Sequence, residues 1–387
     1  MIPLSYNVRS ILRRRFSAFA TAAGLGLVVF VFAAVLMLAA GVEETLKATG
    51  SRENAILLRK GSTAELTSLL PREAAKAFAA DPSVAVEGGR AVASPEIFVI
   101  FQLARLDGSG TANVGLRGVT KDGWELLRSR TVKVIDGRPP QWGTSEVMIG
   151  RSTRGRYKGA EIGQAISIAR RQWQVVGVLD SGGSAFDSEI WGDADQIIDT
   201  ARRPGYSTMT ARLKSPSEMS ALAATVDADP RWNLEAKRED KHYEEASGPL
   251  ASFIRILGTI IAVFFSFGAI LGAMITMYAQ VANRVREVGT LRALGFRRRS
   301  VLGSFLVESL ILALIGAAAG CAFAALLGAL SFTTTNFSTF TEIKFQFHFA
   351  LPMAVKATIF ALVMGLLGGL FPAVRAARLQ IAEATKG

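Results

Sequence analysis

The chain has 387 residues and a net charge of +12, half of its residues are hydrophobic, and its mean hydropathy is +0.31. Its single cysteine and two histidines exclude a disulfide framework and argue against a structural zinc or haem site. A net positive charge indicates a nucleic-acid partner when the basic residues are spread over a folded surface. The positions of the basic residues in the sequence therefore decide whether this interpretation applies.

The excess positive charge lies in three short segments, each of which adjoins a long apolar run. Residues 1–15 carry four arginines, 280–300 carry six arginines against one acid, and 375–387 carry three basic residues against one acid. The segment 42–250 carries equal numbers of acidic and basic residues. This distribution follows the positive-inside rule, so it predicts a membrane protein with cytoplasmic basic segments and no nucleic-acid partner.

Four apolar runs are long enough to cross a bilayer, which takes about 20 helical residues. In chain order, the predicted transmembrane helices are 16–41, 251–282, 301–330 and 350–374. The first run is too long for the apolar part of a cleaved signal peptide, so we predict an uncleaved anchor. With cytoplasmic termini, four crossings place 42–250 and the loop 331–349 outside, and they leave 375–387 as a cytoplasmic tail.

Residues 1–15 place apolar side chains on one helical face, which predicts an amphipathic helix lying on the inner leaflet of the bilayer. The outside segment 42–250 is long enough to form a hydrophobic core of its own. It continues the first helix and then alternates short β-branched runs with turn signals between two helical patterns. We predict an α+β domain with an inserted, mostly β subdomain at about 92–200, and Gly248-Pro249 marks the return to the membrane.

The segment 283–300, between the second and third spans, has a pattern typical of a short helix. Apolar residues recur every three positions, and Gly295 follows as a helix stop. We predict that the apolar stripe faces the cytosol, and two interpretations stay open: the helix rests on lipid headgroups, or it docks into a groove on a cytosolic partner. The candidate coupling residues are Val285, Arg286, Glu287, Val288, Leu291, Arg292, Leu294 and Gly295.

Within the spans, one acidic residue and two groups of glycines are candidate functional positions. Glu308 lies about 10 Å along the third span at 1.5 Å per residue, and we expect it to reach back toward Arg299 or Ser304. The glycines form small-xxx-small patterns that bring helices close together, either within one bundle or between two subunits. They are Gly316, Gly320, Gly365 and Gly369.

The sequence contains no motif for nucleotide chemistry or hydrolysis. It has no G-x-x-x-x-G-K-[ST] phosphate loop, no G-x-S-x-G and no H-E-x-x-H. We therefore predict a non-enzymatic chain with no catalytic, cofactor-binding or metal-binding residues of its own. In fold class, we predict an α-helical membrane protein with four transmembrane helices and a large α+β periplasmic domain between helices 1 and 2.

Several longer motifs occur in order along the chain. The N-terminal part contains LSYNVRSILRRRFSAFATAAGLGL (4–27), and the outside domain contains IDGRPP (135–140), SEVMIG (145–150) and VVGVLDSGGSAFDSEIW (175–191). The C-terminal part contains REVGTLRALGFRRRSVLGSFLVESLILALIGAAAG (286–320) and FPAVRAARLQIAEATKG (371–387). Together these segments resemble the MacB/FtsX-like ABC transporter permease family, and the two C-terminal motifs are the most specific.

The resemblance implies a dimeric permease in the bacterial inner membrane, with a second copy or a paralogue as its partner. The periplasmic domain would have a porter-like part beside the inserted β part, and the helix in 283–300 would sit on an ABC ATPase that binds the ATP. Because the chain starts 15 residues before the first span, we expect that ATPase to be a separate polypeptide. In this family, closure of the ATPases moves the periplasmic domains, which extrude or extract substrate outside the membrane.

The family also contains proteins with other roles, which leaves two alternatives open. FtsX is a signalling scaffold that regulates cell-wall hydrolases, and LolC and LolE release lipoproteins. The length of 42–250 favours a transporter over a scaffold, since signalling requires a smaller outer domain. A transporter would add a periplasmic adaptor protein and an outer-membrane channel to the candidate partners.

Overall fold

The computed structural model describes residues 4–335 and 341–379, so part of the predicted outer loop and most of the predicted C-terminal tail lie outside the described residues. The chain divides into two compact units. We call residues 1–40, 252–330 and 346–387 the membrane unit. We call residues 41–251 and 331–345 the sheet domain.

The membrane unit is built from helices, and the prediction of four membrane-spanning helices is confirmed. The spans are α2 (Arg15–Lys47), α7 (Glu239–Asn283), α9 (Arg298–Leu326) and α10 (Leu351–Arg378), and two short helices, α1 (Leu4–Arg13) and α8 (Val285–Ala293), accompany them. Two of these helices are longer than their apolar runs, and residues 41–47 of α2 and 239–251 of α7 are assigned to the sheet domain. Helix α7 already begins at Glu239, so Pro249 lies inside a helix rather than at its start.

Two of the apolar clusters in the membrane unit join its spans. In the first, Val29 and Met37 of α2 pack with Ala313 of α9 and Met364 of α10. In the second, Met277 and Val281 near the end of α7 pack with Val301 and Phe305 of α9 and with Ala373 of α10. The second cluster therefore holds the end of α7 against the start of α9, on either side of α8.

The sheet domain is organised around one ten-stranded sheet, with strand order β12-β1-β11-β4-β5-β10-β7-β9-β6 and β8 paired to β9. Its strands are β1 (Asn54–Arg59), β4 (Ala93–Ala104), β5 (Thr111–Val119), β6 (Lys133–Gly137), β7 (Glu146–Gly150), β8 (Ala165–Ile168), β9 (Arg171–Asp180), β10 (Ile190–Asp193), β11 (Thr208–Arg212) and β12 (Leu234–Arg238). The small hairpin β2 (Val86–Glu87) and β3 (Arg90–Ala91) lies beside it in sequence. The helices are α3 (Arg72–Ala79), α4 (Lys121–Leu126), α5 (Ala194–Ala201) and α6 (Met219–Ala228).

The predicted α+β domain is present, but the predicted inserted subdomain does not form a sheet of its own. Strand β4 of the 92–200 segment pairs antiparallel with β11, with Glu96 opposite Thr208, and β11 also pairs with β1. The insertion therefore continues the sheet that the flanking segments begin. The backbone N–H and C=O groups of β4 and β11 hydrogen-bond to each other at this junction. If the two segments formed separate sheets, these groups would lack hydrogen-bond partners.

A large apolar core covers the sheet and holds the helices on it. Trp173 and Met209 from the strands and Phe78, Ile197 and Leu222 from the helices are all buried in it. The segment between the third and fourth spans contributes a small two-stranded sheet of β13 (Ser331–Thr335) and β14 (Glu342–Gln346). Both strands lie within the predicted outer loop 331–349.

Candidate coupling site and buried charge clusters

Helix α8 lies between the second and third spans, as the sequence predicts, and it ends where Gly295 was expected to end it. Gly295 has a φ of +90°, which favours glycine, and its amide donates to the carbonyl oxygen of Arg292. The next amide, of Phe296, donates to the carbonyl oxygen of Leu291. These two bonds are a Schellman motif, so the predicted helix stop is confirmed.

The prediction that the apolar residues of α8 form one outward stripe is wrong at Val288. Val288 is only 2% exposed, because it packs into the cluster of Met277, Val301 and Phe305 inside the membrane unit. Leu294 at the opposite end of the helix is 72% exposed. A spacing of three residues does not distinguish a side chain that faces the protein from one that faces away.

The outward face of α8 instead combines polar side chains with one large apolar side chain. Val285 and Leu291 are half-buried, as is Arg292. The exposed residues are Arg286, Glu287, Thr290, Ala293, Leu294 and Gly295, and Arg297, Arg298 and Arg299 follow them. We call Arg286, Thr290, Ala293 and Leu294, which share one helical face, the outward face of α8.

Arg284, which immediately precedes α8, is buried at the centre of a polar network. Its Nη1 donates to Oε2 of Glu308 at 2.9 Å, and its Nε donates to Oε2 of Glu287 at 2.8 Å. The guanidinium carbon lies 5.4 Å from the ring centre of Tyr6 and 5.2 Å from that of Phe305. Glu308 therefore pairs with Arg284 and not with Arg299, which is exposed at the other end of the turn.

Helix α1 closes the network from a third side. The Tyr6 hydroxyl donates to Glu287 at 3.1 Å, and the Ser10 hydroxyl lies 3.5 Å from Oε1 of Glu308. The Ser304 hydroxyl donates to the side-chain oxygen of Asn7 at 2.6 Å. The predicted amphipathic helix thus directs polar side chains into the protein, whereas its periodicity suggested only a lipid-facing role.

The glycines of the predicted packing patterns lie where helices of this chain approach one another. A Cβ placed on Gly316 would lie 2.7 Å from the carbonyl oxygen of Ala22, and one on Gly320 would lie 2.5 Å from that of Gly26. Gly365 and Gly369 face α9, where a Cβ would lie 2.5 Å from Cβ of Ala313 and from the hydroxyl of Ser309, respectively. All four positions therefore allow close packing within the bundle of one subunit.

The sheet domain contains a second charge cluster, which sequence analysis missed. Arg117 on β5 forms two hydrogen bonds with Glu65, at 2.7 and 3.0 Å, and two with Glu189, also at 2.7 and 3.0 Å. Its Nη1 also donates to Glu96 at 2.8 Å. Arg128 links Glu96, at 2.5 Å, to Glu239, at 2.7 Å.

Two guanidinium groups thus share four carboxylates, and all six side chains are buried. Burial disfavours the ionised form of Glu65, but Arg117 outweighs this effect and holds the Glu65 pKa at about 2. Burial raises the pKa of Glu189, for which Arg117 compensates only in part because neighbouring carboxylates share it. Pairing with the carboxylates outweighs burial at both arginines and raises the pKa of each guanidinium, which keeps them charged.

The cluster connects the sheet to the first residue of α7. Glu239 opens that helix and accepts hydrogen bonds from the Asn54 side chain at 2.8 Å and from the Ser51 amide at 3.0 Å, in addition to its bond from Arg128. Gly50 lies so close to Glu239 that a Cβ would meet its backbone at 2.6 Å. An isolated arginine in the apolar strand β5 was the available sequence signal for this cluster.

A third set of polar contacts attaches the β13–β14 segment to the rest of the sheet domain. Glu342 forms ion pairs with Arg105 and Arg156 and accepts a hydrogen bond from the Tyr157 hydroxyl at 3.1 Å. The Lys344 amide donates to the Ser188 hydroxyl at 3.1 Å. In residues 4–335 and 341–379, no group of three or more histidine, cysteine or acidic side chains is arranged to hold a metal ion.

Four membrane-spanning helices, a large folded domain between the first two in sequence and a capped helix after the second are the architecture of a multi-pass membrane protein. Two family models match this architecture: the FtsX-like permease C-terminal region over residues 259–381 and the MacB-like periplasmic core domain over residues 18–229. The second match covers more than half of the chain. The chain therefore belongs to the MacB/FtsX-like family of ABC transporter permeases.

Relatives in bacteria are named as exporters. The chain is 28% identical to the pyoverdine export ATP-binding/permease protein PvdT of Pseudomonas entomophila, over 62% of this chain and 38% of that protein. It is 32% identical to the macrolide export ATP-binding/permease protein MacB of Nitrobacter winogradskyi, over 57% of this chain and 35% of that protein. The chain thus spans little more than a third of the length of these relatives. The periplasmic region of MacB from Actinobacillus actinomycetemcomitans, at 11% identity, aligns over 55% of this chain and 97% of that one with a TM-score of 0.37.

Proposed function

We propose that this chain is the permease subunit of a MacB-like ABC exporter. ATP hydrolysis by a separate cytosolic ATPase would drive motion of the MacB-like domain, which extrudes or extracts substrate on the far side of the membrane. The family assignment supports this role, and so do the relatives whose names combine ATP binding, a permease and export. The 387 residues themselves contain no phosphate-binding loop, so the nucleotide would be bound outside them.

The observation that carries the coupling proposal is the outward face of α8. The helix is fixed at its start by Arg284 and at its end by the Gly295 cap, and its inner side chain Val288 is buried. Leu294, 72% exposed, then stands beside exposed arginines on the face that remains. A rigid helix with one apolar anchor and charged surroundings suits insertion into a protein groove.

We propose further that the chain lies in the inner membrane of a bacterium, with both termini and α8 in the cytoplasm. The three arginine-rich segments support this orientation. In a Cys321→Ala background, a cysteine at the exposed Ser109 should react in intact cells with an impermeant thiol reagent once the outer membrane is permeable. A cysteine at the exposed Ala293 should stay unlabelled, and labelling there would reverse the orientation.

The test of coupling replaces the apolar anchor by a charge. With purified MacB-type ATPases of the same organism and the chain in nanodiscs, Leu294→Asp should weaken ATPase binding by about tenfold or more, since a buried leucine contributes about 1.5–3 kcal/mol. Glu287→Gln should weaken coupling only in part, because its side chain is mostly exposed and its charge pairs with Arg284.

Val86→Asp serves as the matched control, since Val86 is an exposed apolar residue of the sheet domain. It should leave both ATPase binding and permease-dependent hydrolysis unchanged. If α8 rests on lipid headgroups instead, Leu294→Asp will bind and stimulate the ATPase as the wild-type chain does. That result would refute the coupling role of the outward face.

A further inference from the structure

The network around Arg284 joins three helices of the membrane unit that are distant in sequence. Arg284 stands at the start of α8, Glu308 lies inside α9, and Tyr6 and Ser10 belong to α1. Arg284 is 4% exposed and Glu308 is 1% exposed, so their ion pair is shielded from solvent. A charge inside an apolar bundle is costly in free energy unless it is paired. Arg284 and Glu308 therefore each require the other as a partner.

The buried network and the outward face occupy opposite sides of α8. Val288 and Gly289 are buried on the inner side, next to Arg284. The outward face contributes no side chain to the Arg284–Glu308 pair, and Glu287 touches both the network and solvent. Binding at the outward face and transmission through the buried pair can therefore be altered separately.

We propose that the Arg284–Glu308 ion pair, closed over by α1, is the positioning element that transmits movement of α8 to α9. This inference rests on the proposed function, because α8 moves only if a partner acts on its outward face. Arg284 suits the role because its planar guanidinium reaches Glu308 and Glu287 at once while it lies between the rings of Tyr6 and Phe305. Loss of the pair would leave α8 able to bind its partner but poorly connected to the third span.

The decisive variant is the double substitution Arg284→Gln with Glu308→Gln, which removes both charges and leaves neither one buried without a partner. In nanodiscs with the ATPase, we expect binding within about threefold of wild type and permease-stimulated hydrolysis reduced at least fivefold. Each single substitution should reduce stimulation at least as much as the double one does, because two members of one pair are not additive. Arg284→Lys, which keeps the charge, should restore part of the stimulation.

Arg378→Gln is the matched control, since Arg378 is an exposed arginine at the end of α10. It should change neither binding nor stimulation. Wild-type stimulation in the double variant would overturn the positioning role. Loss of ATPase binding together with loss of stimulation would also overturn it, because the pair would then act on docking and not on transmission.

A spin label separates failure of this inference from failure of the proposed function. Attached at Thr290→Cys in a Cys321→Ala background, the label reports the mobility of α8 without any ATPase. We expect greater label mobility in the double variant than in wild type. If the wild-type chain binds no ATPase, the proposed function fails. If the label remains equally immobile, the pair does not position α8.

Discussion

The membrane unit and the sheet domain both bury arginines among carboxylates, but different forces hold their elements together. In the membrane unit, helices approach closely at glycines such as Gly316 and Gly320, and Glu308 is the fully buried carboxylate paired with Arg284. In the sheet domain, large side chains such as Trp173 form the core, and a shell of aromatic rings encloses the Arg117 cluster. Apolar side chains gain little by leaving lipid, whereas they gain much by leaving water.

The difference teaches that the two units should be sensitive to opposite kinds of substitution. A larger side chain at a helix contact should damage the membrane unit, because backbones that now touch would be pushed apart. Removal of a buried charge should damage the sheet domain most, because Arg117 and Arg128 balance four carboxylates there. The predictions below test this contrast in order of expected size.

The largest effect should follow Arg117→Met. The substitution leaves Glu65, Glu96 and Glu189 buried without their shared partner, and breaking such a network costs about 3–5 kcal/mol. We expect the sheet domain of the full chain to lose its protection against limited proteolysis while the membrane helices remain inserted. The exposed pairs of Arg154 provide the control, since Arg154→Met should leave protection unchanged. Equal protection in both variants would show that the cluster does not stabilise the domain.

A pH series should separate the carboxylates of the same cluster. The Glu65 pKa is about 2 against an ordinary value of 4.5, so its ionisation stabilises the domain above pH 4.5. That stability, about 3.5 kcal/mol, is lost as the pH falls toward 2. The measurement is the thermal unfolding midpoint in detergent as the pH is lowered below 4.5. In Glu65→Gln this midpoint should fall less steeply with decreasing pH than in the wild-type chain.

Glu189 provides the control of opposite sign in that series. Burial raises its pKa, so protonation favours the folded state and opposes the acid loss. In Glu189→Gln the unfolding midpoint should fall with decreasing pH as steeply as in the wild-type chain, or more steeply. A smaller decrease of the midpoint in Glu189→Gln than in Glu65→Gln would contradict this division of roles.

A smaller effect should follow Gly320→Leu in the membrane unit. The new side chain would meet the Gly26 carbonyl oxygen and the Phe30 amide, and overpacking of this kind costs about 1–3 kcal/mol. We expect a lower thermal midpoint in detergent. Gly303 lies on the same helix, and a Cβ built on it would have no other atom within 4 Å, so Gly303→Leu should leave the midpoint unchanged. Equal midpoints for the two variants would make Gly320 an ordinary residue of the span.

The sequence predicted the membrane unit better than the sheet domain. Hydropathy and arginine placement are local properties, and they located the four spans and α8. The short β-branched runs predicted in the large domain are strands of the sheet, among them β1, β6, β7, β8 and β9. The long hairpin of β4 and β5 was not predicted, since Pro95, Gly115 and Gly118 interrupt its alternating pattern.

The choice of partners, by contrast, could not be predicted from local pattern. Val288 and Leu294 occupy equivalent positions in a repeat of three, yet only Leu294 is exposed. Glu308 faces Arg284 and not Arg299, which is nearer in sequence but exposed in the first turn of α9. Which side of a helix is covered depends on neighbours from elsewhere in the chain.

The sequence by itself determined the number of spans, the capped helix between the second and third, and the α+β class of the large domain. Each of these depends on periodicity, charge or a glycine within a few residues. Only the tertiary structure decided which charges meet: Arg117 joins carboxylates 52, 21 and 72 residues away, and α1 reaches residues almost 300 positions later in the chain. Such contacts form when strands and helices pack, because burial selects the partner that satisfies a charge regardless of its distance in sequence.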